Sequence, residues 1–164
     1  MDQLANRGGT YCGSVSLLTA TGAETVHDTT VALHFFIKGK GYTKSGTNAD
    51  QTTPTTDYTT SAAFNALTGT TTTGQGCVFV WAYNSSGAVK VMQGPLETVD
   101  AAGNFVKAPQ FPSVPDDVCP FAYSVSKYYG TAGTWTFGTS NWNASGHTHA
   151  IVDIGVLPDR PQLS

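Results

Sequence analysis

The chain has 164 residues, of which 40% are hydrophobic and only 12% are charged, and its formal net charge is -3. The eight basic residues are scattered and form no basic stripe, which argues against nucleic acid as a partner. Threonine, glycine, serine and asparagine supply 62 residues, and only two glutamates are present. Because β-branched and turn-forming residues disfavour helices, this composition predicts one all-β domain over residues 1–164, with a neutral surface suited to contact with other subunits.

Strands are predicted over residues 10–20 and 29–37. Alternation in the second strand places Val31, Leu33, Phe35 and Ile37 on one face and Thr30, Ala32, His34 and Phe36 on the other. Both faces are therefore expected to be at least partly covered, as in a sandwich or under a neighbouring subunit.

Residues 38–60 are polar, contain no periodic pattern, and are predicted to form a long surface loop or arm that lies on another subunit. Residues 61–68 form the one helix candidate, with Thr60 or Ser61 as N-cap and Gly69 after its end.

A hairpin is predicted from Cys77 to Met92, with its turn at 84–87. Its first strand places Phe79, Trp81 and Tyr83 on one face and Val78, Val80 and Ala82 on the other, so this hairpin is expected to be central. A second hairpin is predicted over 96–107 with its turn at 100–104.

Residues 108–117 are rich in proline and are predicted to be extended without strand hydrogen bonds. Further strands are predicted around 121–125, 135–137 and 150–156, and residues 157–164 are predicted to form an extended C-terminal arm that reaches neighbours. Eight or nine short strands with turns between them indicate an antiparallel β-sandwich or barrel of jelly-roll type.

The sequence contains no catalytic motif that would indicate an enzyme, and Asp116 and Asp117 after a proline are typical of a turn. Cys12, Cys77 and Cys119 are widely spaced and are predicted to be buried free thiols in a protein made in a reducing cytoplasm. No export signal and no membrane-spanning run is visible, so a membrane is not expected as a partner.

His147 and His149 make one candidate metal site, because side chains two apart in a strand point to the same face. With Ala150, Val152 and Ile154 on the opposite face, both imidazoles are expected side by side and away from the core. Two imidazoles can share one transition metal, and a three-fold axis would supply six nitrogens. The alternative is a pair of surface or interface histidines bonded to neighbours. No other cofactor is expected.

Turn aromatics make a second candidate site, for glycan or protein recognition. The alternative is that each ring packs a loop onto the sheet. The rings are Tyr42, Tyr58, Tyr128, Tyr129 and Trp142.

Two resemblances follow from these segments. The run Ser145-Gly146-His147-Thr148-His149 resembles the iron-binding tips of trimeric phage tail fibres, with serine where their pattern has its first glycine. Residues 134–149 and 155–161 are similar in character to small virion proteins of tailed bacteriophages. This resemblance implies a β-rich virion protein that is made in the host cytoplasm, forms homo-oligomers or binds a major capsid or tail protein, and is not an enzyme.

Two functions are therefore expected as alternatives. The first is a structural protein that decorates or cements a phage capsid through subunit contacts. The second is a receptor- or carbohydrate-binding module of a tail fibre or spike.

Overall fold

The structure, a computed structural model, describes residues 9–14, 16–22, 25–29, 32–45 and 48–162. These residues contain strands and no helix. The strands are β1 (Tyr11–Cys12), β2 (Leu18–Thr19), β3 (Val26–Thr29), β4 (Leu33–Ile37), β5 (Lys40–Lys44), β6 (Asn48–Thr52), β7 (Leu67–Gly69), β8 (Gly74–Asn84), β9 (Val89–Gln93), β10 (Glu97–Val99), β11 (Val118–Tyr128), β12 (Gly133–Trp135) and β13 (His147–Asp153).

A five-stranded antiparallel sheet forms the centre of the molecule. Its order is β10-β8-β11-β13, and β9 pairs with the second half of β8. The strands β8 and β11 pair along nearly their whole length, with one irregularity between Pro120 and Ala122. The 77–92 hairpin is thereby confirmed as a central element.

Each face of β8 belongs to a different hydrophobic core. Phe79, Trp81 and Tyr83 lie in the larger aromatic core, and Val78, Val80 and Ala82 lie in the smaller aliphatic core. All six side chains are at most 1% exposed, which confirms the predicted faces. A strand this hydrophobic on both faces needs a layer on each side.

Three small sheets and the extended segments supply those layers. The sheets β1-β4-β5, β2-β3-β6 and β7-β12 contribute residues to the aromatic core. Phe105, Phe111, Val114 and Leu157 pack into the aliphatic core. The sheets are not closed into a barrel, so the predicted all-β fold is confirmed as an antiparallel sandwich.

The first predicted strand is two short ones, because Leu17 has a positive φ of 47° and interrupts an extended path. In β4, the side chains of Leu33, Phe35 and Ile37 are buried as predicted, whereas His34 is exposed. Thr30 and Val31, which were assigned to the two faces of this strand, lie outside the described residues. The predicted second hairpin is reduced to β10 and a single bridge from Val99 to Phe105.

The prediction that residues 38–60 form one long loop is wrong. This segment contains β5, joined to β4 by a two-residue turn, and β6, which pairs with β3. Lys38 and Gly39 both have positive φ, as this kind of tight hairpin turn requires. Sequence reasoning missed the strands because β5 and β6 are edge strands with mostly exposed side chains and hence no hydrophobic alternation.

The predicted helix over 61–68 is also wrong. Ser61 has a positive φ of 58°, which a helix does not allow. The N–H of Asn65 donates to Gln93 Oε1 and the carbonyl of Asn65 accepts from Gln93 Nε2, both at 2.8 Å. Phe64 and Leu67 are buried three residues apart, which mimics a helical face. Bonds from outside the segment replace those that a helix would have made.

The C-terminal segment is extended but packs on its own domain. Leu157 is 6% exposed within the aliphatic core, and the backbone N–H of Gln162 donates to the Tyr123 hydroxyl at 2.9 Å. Leu157 and Gln162 thus hold the predicted arm of residues 157–164 on its own domain, and contact of this arm with neighbours stays a prediction. The last two residues lie outside the described ones.

Leu157→Ala is accordingly expected to destabilise the isolated monomer. Truncating a buried leucine removes apolar contacts and leaves a cavity, so the free energy of unfolding should fall by about 2–3 kcal/mol. Urea unfolding followed by tryptophan fluorescence measures this difference. Val156→Ala is the matched control, because Val156 precedes Leu157 in the chain and its side chain is 48% exposed. Equal stability of the two variants would show that the tail does not pack on the sheet.

Candidate functional site

The two candidate metal ligands lie on the core face of β13. The imidazoles of His147 and His149 are stacked with centroids 5.2 Å apart and planes at 16°, so the predicted side-by-side arrangement is confirmed. The prediction that they point away from the core is wrong. His147 is 8% exposed and stacks on Trp135 at 3.8 Å, with ring planes at 6°. A neutral imidazole packs like any aromatic ring, and the indoles of Trp135 and Trp142 cover this face.

Backbone carbonyls hold both rings. The Nδ1 of His147 lies 2.9 Å from the carbonyl oxygen of Trp142 and donates to it, while the ring of His149 bonds the backbone of Ala20. This assignment leaves the Nε2 of His147 as an acceptor, buried and without a hydrogen-bond partner in the described part of the chain. A histidine that binds a metal usually donates its other nitrogen in this way.

The pair by itself does not complete a metal site. Nearly parallel rings 5.2 Å apart do not direct both Nε2 lone pairs at one point. Among the residues that the structure describes, no group of three or more His, Cys, Asp or Glu side chains is placed to hold a metal ion. Metal binding at His147 and His149 stays a prediction that requires ring rotation and ligands from elsewhere.

Burial keeps these imidazoles neutral. Burial lowers the pKa of His147 to about 4, although the hydrogen bond to the Trp142 carbonyl acts in the opposite direction and raises it. Burial also lowers the pKa of His149. His27 on β3 is a third such residue, with its pKa lowered to about 4 by burial. Its Nδ1 lies 3.2 Å from the Thr53 hydroxyl, and its ring meets Trp81 edge-on at 5.1 Å.

The five predicted interaction aromatics do not form a common surface. Tyr128 and Trp142 are buried in the aromatic core, at 5% and 2% exposure. Tyr42 stacks on Phe35 beside the same core, whereas Tyr58 packs against the aliphatic core on the other side of the central sheet. Tyr129 is half-buried beside Gly103. Tyr42 and Tyr128 lie within β5 and β11, not in turns. The alternative interpretation, a ring that packs a loop onto the sheet, fits the other three rings, which lie outside the strands.

The three cysteines are buried free thiols, as predicted. Burial raises the pKa of Cys77 and Cys119 to about 12, so both are protonated and unreactive at neutral pH.

A stacked aromatic pair with one exposed ring was missed in the sequence. Tyr11 and Phe36 stack across β1 and β4 with centroids 4.6 Å apart and planes at 18°, and Tyr11 is 42% exposed. The alternation in β4 places Phe36 on the face away from the core, so this pattern predicted that its ring points outward. Tyr11 carried no such signal, because β1 has only two residues.

An open strand edge is the second feature that the sequence did not show. In the described residues β5 pairs with β4 alone. The N–H of His34 donates to Ser14 Oγ at 3.2 Å, and its carbonyl accepts from Gly13 N at 2.7 Å, so both backbone groups face β1. Its partner Thr43 therefore directs its own N–H and C=O away from β4, to the free edge.

The described residues thus define an all-β sandwich in which β5 is one of several edge strands, with a stacked aromatic pair across β1 and β4 and an inward-facing imidazole pair on β13. No protein-family model, curated protein or solved structure matches the chain. Within the described ranges, no helix has the length and apolar character that crossing a membrane requires.

Proposed function

We propose that the protein is a non-enzymatic virion structural protein that decorates or cements a phage capsid. The observation that supports contact with a neighbour is the outer edge of β5, where the backbone groups of Gly41 and Thr43 point away from β4 and have no partner among the residues that the structure describes. An exposed strand edge is a template for a strand from another chain. Lysine, arginine, aspartate and glutamate make up only 12% of the sequence, so few charged side chains oppose contact with a neighbour.

The contact is strand addition at β5. A strand from a second copy or from the major capsid protein pairs with Thr43 and Gly41 and extends the β1-β4-β5 sheet by one strand. Main-chain hydrogen bonds supply the affinity, and the side chains beside the edge supply specificity. Lys40 and Lys44 at the two ends of β5 limit unspecific pairing, as lysines do on natural edge strands.

Thr43→Pro tests this contact. Proline removes the outward N–H and is tolerated where that N–H does not bond the neighbouring strand, so the monomer should stay folded. Thr43→Ala is the matched control, because it retains the N–H. We expect wild-type protein and the alanine variant to be found in purified particles by mass spectrometry, and the proline variant to be lost from them.

The supporting measurements separate binding from folding. Thermal midpoints of the two variants should agree, and light scattering of the purified proteins shows whether the edge also joins copies of the chain. Incorporation of Thr43→Pro at the wild-type level would contradict docking at this edge. Absence of the wild-type chain from particles would contradict the virion assignment itself.

The alternative of a receptor- or carbohydrate-binding module has lost its expected site, because the five turn aromatics are dispersed.

A further inference from the structure

A cavity of about 480 Å³ lies between two segments that belong to no strand. Residues 108–111 form one wall of this cavity, and residues 159–161 form the other. Gln110, Asp159 and Arg160 are exposed, so the cavity opens to solvent. Its volume is within the range of small-molecule sites, which is about 300–1,000 Å³.

One buried tyrosine holds both walls of the cavity. The ring of Phe111 meets the ring of Tyr123 edge-on, with centroids 5.1 Å apart and planes at 85°. The Tyr123 hydroxyl accepts the backbone N–H of Gln162 at 2.9 Å, one residue beyond the second wall. Tyr123 is completely buried in β11 of the central sheet. Both walls therefore rest on the rigid part of the fold, and the cavity exists before a ligand enters.

The second wall carries two opposite charges that the protein leaves unpaired. Arg160 and Asp159 form no ion pair with each other or with any other residue that the structure describes. The chain bends at these two residues, which brings both to the lining of one cavity. A guanidinium binds a carboxylate through two parallel hydrogen bonds, and a carboxylate accepts from an ammonium group. A ligand that has both groups pairs with both charges.

The remaining lining is mostly apolar. Ala108, Pro109 and Phe111 line the first wall, and Pro161 lines the second. Their side chains offer no hydrogen bond, so the part of the ligand that meets them is a hydrocarbon or an aromatic group. An aromatic group beside Phe111 also gains a favourable ring contact.

We propose that this cavity binds a small zwitterion, namely an α-amino acid or a dipeptide with an apolar side chain. Its carboxylate binds Arg160, its ammonium group binds Asp159, and its side chain packs on Phe111 and the prolines. A free amino acid carries both charges on one carbon, which suits charged residues that are adjacent in the chain. A longer peptide separates its terminal charges by about 3.3 Å for every extended residue and reaches only one of them.

This inference goes beyond the proposed function and is independent of it. Strand addition uses the edge of β5, which contributes no residue to the lining of this cavity. Arg160→Gln should therefore leave particle incorporation unchanged, and Thr43→Pro should leave binding of the zwitterion unchanged. Either proposal can fail while the other holds.

The test is a nuclear magnetic resonance titration of the full-length chain with four probes. Phenylalanine carries both charges, phenylpropionate lacks the ammonium group, phenethylamine lacks the carboxylate, and the dipeptide of two phenylalanines separates the charges. We expect each singly charged probe to bind at least about fivefold more weakly than phenylalanine, because it forms one charge-assisted hydrogen bond fewer. The dissociation constants of phenylalanine and of the dipeptide show which of these two ligands the cavity prefers.

Two variants assign the charges to their partners. Arg160→Gln should weaken phenylalanine binding at least about fivefold and leave phenethylamine binding unchanged, because that probe has no carboxylate. Asp159→Asn should weaken phenylalanine binding and leave phenylpropionate binding unchanged, because that probe has no ammonium group. Lys40→Gln is the control, because it removes an exposed positive charge that lies outside the cavity.

These substitutions are made at exposed positions, so the fold should persist, and the spectrum of each variant shows whether it does. The proposal is overturned if neither phenylalanine nor the dipeptide binds, or if a singly charged probe binds as tightly as phenylalanine. It is also overturned if Arg160→Gln binds phenylalanine as the wild type does.

Discussion

Acidification from pH 7 to pH 4 is expected to remove most of the stability of this fold. Burial holds His27 and His147 neutral, with the pKa of each lowered to about 4. In the unfolded chain both return to a pKa near 6.5, so the unfolded state takes up protons first as the pH falls. Stability from these two groups is complete above about pH 6.5 and is lost between there and pH 4.

The size of this loss follows from the shift. Each group lowers the free energy of unfolding by about 3 kcal/mol between pH 7 and pH 4, because one pKa unit corresponds to 1.36 kcal/mol. Two such groups amount to about 6 kcal/mol, which is comparable with the whole stability of an ordinary domain. The like charge of a protonated His149 beside His147 adds to the effect, while Asp28 beside His27 opposes it and Lys44 reinforces it.

Urea unfolding at several pH values between 7 and 4 measures this dependence. The variant His27→Gln/His147→Gln should be less stable at pH 7 but show a flatter slope, because two titrating groups are gone. His34→Gln is the matched control, since its ring lies on the exposed outer face. If the free energy of unfolding of the double variant fell with pH as steeply as that of the wild type, groups other than His27 and His147 would cause the acid sensitivity.

Asp57→Ala is expected to lower the free energy of unfolding by about 4 kcal/mol. The Asp57 side chain is buried and accepts three backbone N–H groups: from Thr59 at 2.7 Å, from Thr60 at 3.1 Å and from Gln93 at 2.7 Å. The variant leaves these partly buried donors without their acceptor, and a hydrogen bond to a carboxylate contributes about 1.5–3 kcal/mol where water does not replace it. The bond to Gln93 also ties the 57–60 turn to β9 of the central sheet.

Two variants make this measurement specific. Asp57→Asn keeps the shape and one acceptor oxygen, so its loss should be smaller. Asp100→Ala removes a carboxylate that accepts from the N–H groups of Ala102 and Asn104. Both of these residues are exposed, so water replaces the lost acceptor and the effect should be smaller still. If Asp57→Ala lowered the free energy of unfolding no more than Asp100→Ala does, the three bonds of Asp57 would not stabilise the fold.

Both predictions rest on residues whose importance was not visible in the sequence. Asp57 lay in a segment that was expected to be a loop, because a carboxylate among threonines looks the same whether water or backbone N–H groups surround it. The histidines of β13 were identified as a pair, but on the wrong side of the strand. Alternation shows which residues share a face, and it does not show which face is covered when both sides of a sheet are packed.

The sequence by itself determined the all-β class, the central hairpin with its two hydrophobic faces and the burial of the three thiols. These features depend on local preference and on period-two alternation, which any stretch of the chain carries within itself. The tertiary structure decided the rest: edge strands in place of the 38–60 loop, an irregular turn in place of the 61–68 helix, and a tail packed on its own sheet. It also turned the histidines inward and brought Tyr11 beside Phe36, because such contacts join residues distant in sequence and depend on what each surface meets after folding.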